Sequence, residues 1–121
     1  MTLAQRKVLL HLTGRRRQVV DADDIYYFEA QRDETDVRLR GARRLRDVRS
    51  LGEIMEELGF MGFVRVHRNH AVNPGRVREI RPATSGWELR LEPPVNKVLP
   101  VSRRSLDSLL EAYRPATGKR R

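Results

Sequence analysis

The chain has no cysteine, and only three of its 25 basic residues are lysine. Without thiols there is no disulfide framework and no thiolate to act as nucleophile or metal ligand, which suits a reducing compartment. No apolar run approaches the roughly 18 residues that a membrane span needs. The start, Met1-Thr2-Leu3-Ala4-Gln5-Arg6-Lys7, lacks the apolar stretch of a secretory signal. A cytoplasmic protein with no membrane partner is the expectation. Aromatic residues are also scarce, three Phe, three Tyr and one Trp in 121 residues, so a platform for stacking single-stranded bases has little to be built from.

Signs of catalysis are missing as well. Asp23 and Asp24 fall in a turn, no glycine-rich phosphate loop is present, and no serine is presented beside a plausible base. His11, His67 and His70 have no cysteine to join them. Residues 67 and 70 would point to opposite faces of a continuous strand, so no metal site is expected. The chain reads as no enzyme, with no cofactor and no small-molecule substrate.

What the sequence has is positive charge, a net +9, unevenly placed. Residues 1–20 hold five basic residues and no acid, residues 103–121 hold six basic and two acidic ones, and the middle is neutral. Arginine forks phosphate and guanine bidentately, which lysine cannot. A basic protein of this size leans toward nucleic acid, although a GC-rich genome would also raise the arginine count.

The coarse periodicity gives many short strands and two helices. Val8–Leu12 reads as a strand, followed by a turn through the Arg15–Arg17 run. Ile25–Ala30 is the strongest β segment; a polar hairpin tip, Gln31 to Asp36, returns into Val37–Arg40. Ser50 and Glu53 form a capping box ahead of Leu51, Ile54, Met55 and Leu58, one apolar stripe closed by Gly59. Val77–Ile80, Trp87–Leu91 and Val95–Val101 are further strands, the last an edge by its prolines. Ser102 or Ser105 opens a terminal helix with Leu106, Leu109, Leu110 and Tyr113 on one stripe. Residues 1–114 read as one domain and 115–121 as a basic, disordered tail.

The segment Phe63–Asn73 carries the most information. Val64 and Val66 alternate with Arg65 and His67, then the alternation fails, which places Arg68, Asn69 and His70 on a bend at the strand's end. Donor-rich side chains on a rigid edge suit phosphates and base edges; a solvated strand of a basic protein is the plainer alternative.

Four motifs in order resemble the LytTR DNA-binding domain family: Ile25-Tyr26-Tyr27-Phe28-Glu29-Ala30, Ser50-Leu51 opening a helix, Phe63-Val64-Arg65-Val66-His67-Arg68 with Ala71-Val72-Asn73, and Leu99-Pro100-Val101-Ser102-Arg103-Arg104. The resemblance runs from about Val8 to Tyr113. It implies an elongated, mostly β arrangement of small antiparallel sheets with one short internal helix and a C-terminal helix. It also implies a bacterial transcription regulator of the response-regulator, two-component class, nucleoid-associated when bound. Loops and strand ends of such a domain enter successive major grooves of double-stranded DNA and bend it. Two copies on a direct-repeat operator, as a dimer on DNA, are implied too.

Carried over position by position, the family's base contacts fall on Thr35, Arg68 and Arg103. Thr35 and Arg68 stand where relatives carry other residues, so the operator sequence stays open. DNA-backbone contacts are expected from Arg65, His67, Asn69, His70, Ser102 and Arg104. The 121 residues leave no room for a receiver domain, so the chain is either free-standing, as Met1 favours, or the excised domain of a longer regulator. The alternatives from other classes are a small basic RNA-binding or ribosome-associated protein and a protein-interaction module.

Overall fold

A computed structural model describes residues 6–115. In order, the elements are β1 (Lys7–His11), β2 (Arg17–Asp21), β3 (Ile25–Gln31), β4 (Glu34–Leu39), β5 (Arg44–Asp47), α1 (Leu51–Leu58) and β6 (Val64–His67). They continue with β7 (His70–Val72), β8 (Val77–Ala83), β9 (Gly86–Leu91), β10 (Val98–Val101) and α2 (Arg103–Glu111). Among the described residues the strands make three antiparallel sheets: the β1–β2 hairpin, a five-stranded sheet in the order β5-β4-β3-β7-β6, and a three-stranded sheet in the order β10-β9-β8. The architecture is mostly β with an internal and a C-terminal helix, as the sequence predicts.

Neighbouring residues of a strand face opposite sides of its sheet, and the central sheet uses both. Phe28, Val37 and Ala71 pack on Val8 and Leu10 of the hairpin and on Leu51 and Ile54 of α1. Phe28 meets Phe63 edge to face at 5.1 Å. On the other side Tyr27, Val66 and Val72 pack on Leu89, Leu91 and Leu99 of the three-stranded sheet and on Leu109 of α2. Each such fully buried side chain stabilises by about 1.5–3 kcal/mol. The central sheet is thereby fixed between the two small ones, and its turns are held in place.

Local rules explain both helices. The Ser50 hydroxyl accepts the Glu53 N–H at 3.2 Å and the Glu53 carboxylate accepts the Ser50 N–H at 2.8 Å, the reciprocal box expected from the sequence. Ser102, rather than Ser105, caps α2 by accepting the Ser105 N–H. The α2 stripe is narrower than its periodicity suggests. Leu109 is buried, Leu106 half-buried, and Leu110 and Tyr113 stay exposed; Tyr113 lies past the end of α2, where its hydroxyl donates to the Pro74 carbonyl at 2.8 Å.

One buried ion pair ties the hairpin to the central sheet. Asp47 accepts the backbone N–H of His11 and of Arg49 and two bonds from the Arg49 guanidinium, all at 2.7–2.9 Å. Arg49 reaches on to the Leu9 carbonyl and the Glu57 carboxylate. Burial alone raises the Asp47 carboxyl, but these hydrogen bonds and the Arg49 charge outweigh it and hold the group below the ordinary aspartate value.

Two expectations need correction here. The β3–β4 reversal is a two-residue turn, Arg32-Asp33, and the chain is already a strand at Glu34. Thr35 is consequently not at a tip. It is fully buried opposite Ala30 and Asp47, and its hydroxyl donates to the Arg49 carbonyl at 2.9 Å. The basic tail expected over 115–121 lies, beyond Pro115, outside the described residues.

Candidate nucleic-acid interface

Three features converge at one end of the central sheet. The β3–β4 turn (Arg32-Asp33) and the β6–β7 turn (Arg68-Asn69) lie at the same end, tied by the Ala30 N–H donating to the Asn69 carbonyl at 2.9 Å. The start of α2 is joined to the same end by the Ser102 N–H, which donates to the Val66 carbonyl at 2.7 Å. Between turn and helix lies a depression of about 400 Å³ lined by Arg65, His67, Arg68, Ser102, Arg104 and Ser105. Residues 36 positions apart in sequence thus share one surface.

The side chains there divide into braces and free donors. Arg65 is a brace: its guanidinium donates to the carbonyls of His67 and Arg68 and holds the turn's shape. The ladder is irregular between Arg65 and His67, the kind of bulge that re-aims a strand's side chains. The His67 Nδ1 accepts the Asn69 N–H at 3.2 Å, so its proton sits on Nε2 and is available as a donor. Ser102 spends its hydroxyl on the α2 cap, accepting from the Ser105 N–H and donating to the Ser105 hydroxyl. The backbone N–H groups at the start of α2 and the positive end of its dipole favour an anion in the depression.

Arg68, Asn69, Arg103 and Arg104 are exposed. No carboxylate pairs with Arg32, Arg68, Arg103 or Arg104 among the described residues, whereas the acids nearby are largely committed. Glu34 and Asp36 share Arg46, and Asp47 and Glu57 share Arg49; Glu29 meets only the His70 ring, and Asp33 remains a free acid at its turn. Arg32, Arg68, Arg103 and Arg104 are thus among the unpaired cations that this end presents.

His70 differs from its expected place at the surface. Its side chain is 12 % exposed, its Nε2 lies 3.2 Å from the Glu29 carboxylate, and its Nδ1 is buried without a partner. Burial is the largest influence and holds the ring below the usual histidine value, against the opposing pull of Glu29. A neutral His70 is a strut between β3 and β7, not a phosphate donor. Asn73 shapes the turn that follows β7: it accepts the Gly75 N–H and donates to the Ile25 carbonyl.

Comparison with known proteins bears on the family and the fold. The profile of the family described as the LytTr DNA-binding domain matches residues 15–114. The chain belongs to that family. A solved structure similar to this LytTR domain is the LytTr DNA-binding domain of a Bacillus cereus response regulator, at a TM-score of 0.69 and 25% identity. The similarity covers 88% of this chain and 95% of that one. No curated protein matches the chain. Within this LytTR domain, sequence reasoning missed Arg32, which takes the exposed turn position expected of Thr35. The signal was present: Thr35, Val37 and Leu39 alternate, and one face of a strand that buries Val37 and Leu39 buries Thr35 too.

Proposed function

We propose that this LytTR domain is a sequence-specific duplex-DNA-binding regulator of transcription, reading major grooves with turns and a helix start instead of a recognition helix. The observation that carries the reading is the convergence of Arg68 and the Ser102–Arg104 helix start on one depression, at an end whose carboxylates are mostly paired internally. Arg68 and Arg103 are the base readers, since a guanidinium fork on guanine O6 and N7 is the commonest specific contact. Arg32, at the neighbouring turn, supplies the contact from the β3–β4 hairpin. Arg104, His67 and Asn69 hold phosphates, and Arg65 and Ser102 shape the surface they work from.

The domain works in a bacterial cytoplasm as the output module of a two-component response regulator, two copies binding a direct-repeat operator and bending it. Its basic tail, 115–121, adds a sequence-independent attraction to phosphate. The buried state of Tyr26, Tyr27 and Phe28 weighs against an RNA-stacking sheet, because those rings are spent on the core.

Selection of bound duplexes from a randomised pool, followed by gel shifts at one salt concentration, tests the reading. The expected result is an enriched motif bound about 10³-fold or more tighter than random duplex. Equal or tighter binding of single strands or structured RNA would overturn it.

A further inference from the structure

The tip of the β1–β2 hairpin carries three successive exposed arginines, Arg15, Arg16 and Arg17, and none has a carboxylate partner among the described residues. Other cations of this part of the chain are neutralised: Arg6 pairs with Asp23, Lys7 with Asp21 and Arg40 with Asp24. The tip's charge is therefore uncompensated by design of the fold, not by a general lack of acids.

Its backbone adds a second observation. The tip is a tight turn in which Gly14 and Arg15 both have left-handed dihedrals, with φ of +68° and +63°. A glycine or asparagine adopts that conformation with little strain, whereas an arginine does so at a cost. The β4–β5 turn has the same design at the opposite end of the central sheet, with Gly41 and Ala42 at φ +78° and +63°. Same turn, different side chain: the fold needs the turn in both places, and carries an arginine on it in one.

Position is the third. β1 ends at His11, whose N–H donates to the Asp47 carboxylate and whose carbonyl accepts the Val48 N–H. Asp47 pairs with Thr35, two residues from the Arg32-Asp33 turn. The arginine tip therefore emerges at the end of the sheet that presents Arg32 and Arg68, on the β5 side, whereas α2 stands on the β6 side. With strands about 4.8 Å apart, crossing from β5 to β6 takes about 20 Å.

We propose that the Arg15–Arg17 tip is a phosphate clamp that grips the DNA backbone on one flank of the bases read by Arg68 and Arg103. This rests on the reading of the domain as a duplex-DNA binder. The clamp contributes affinity and orientation but no sequence preference, because consecutive exposed arginines without carboxylate partners match the repeating backbone better than any single base edge. Because the match to the family begins at residue 15, strand β1, which holds this tip in place, precedes the matched region.

The test compares the wild type with R15Q/R16Q/R17Q and with R15K/R16K/R17K on a 40-base-pair duplex taken from the pool selection. Both variants are first checked for unchanged thermal unfolding. Each phosphate contact contributes about 0.9 to the slope of log affinity against log salt, so the Gln variant should be shallower by up to about 2.7. Between 50 and 200 mM salt the wild type's advantage over it should shrink by about 40-fold. The Lys variant should keep the wild-type slope, and neither should change the ratio of selected to scrambled duplex. On a duplex cut down to a single half-site, trimming from one end, and not from the other, should abolish the difference between wild type and the Gln variant. An unchanged slope overturns the clamp alone, and a collapsed selected-to-scrambled ratio reassigns the tip to base reading. Failure of the wild type to prefer duplex overturns the reading beneath it.

Discussion

The Ser102 amide is bonded to the Val66 carbonyl at 2.7 Å, one residue before His67 and two before Arg68. That bond registers the start of α2 against the strand that ends in the β6–β7 turn, so Arg103 and Arg68 are held as parts of one rigid surface. Ser102 is also the cap of α2, and this second role is separable from the first. Replacing Ser102 by Ala should lower stability by about 0.5–2 kcal/mol in urea unfolding, with Ser102→Asp restoring most of it, since the backbone bond to Val66 survives both changes.

The Asp47–Arg49 pair makes a larger stability prediction. Both side chains are nearly inaccessible, and Asp47 takes four hydrogen bonds. Asp47→Asn leaves the buried guanidinium with only the Glu57 carboxylate, and should cost about 3–5 kcal/mol. Because the folded Asp47 value lies below the unfolded one, its contribution is fully present above the unfolded value. It is lost as pH falls through the folded one. Wild-type stability should therefore decline below about pH 4, and the Asn variant should lack this part of the decline.

His70 predicts a separate pH window. Its folded value lies below the unfolded value of about 6.5, so as pH falls through that value the unfolded chain takes up a proton that the folded domain refuses. Stability should drop between about pH 7 and 5. Urea midpoints of His70→Gln across that range should lack this component. A midpoint that rises on acidification in the wild type would mean that His70 is charged in the folded state and pairs with Glu29 as an ion.

Much of this was legible in the residues. The capping box at Ser50 and Glu53 and the stripe of α1 are local, and local rules settle them. The failure of alternation after His67 marked the Arg68-Asn69 reversal, although not that the chain returns as β7 beside β3. Thr35 was misplaced because motif transfer counts positions along a hairpin, whereas burial follows strand parity. Val37 and Leu39 fix that parity, and they put Thr35 inside. His70 was misread for a different reason: its environment is made by Glu29, 41 residues away. The junction of α2 with β6 is likewise a tertiary contact that neither segment announces alone.

In the proposed function Arg68 and Arg103 read bases while their neighbours hold phosphates. Base-pair-resolved competition on the selected duplex, for Arg68→Ala and Arg103→Ala against the wild type, tests it most directly. Each substitution should cost about 1–3 kcal/mol on the selected site and relax preference at one base pair, a different one for each arginine. Equal losses on selected and scrambled duplexes, with every positional preference intact, would contradict the account and make both residues phosphate anchors.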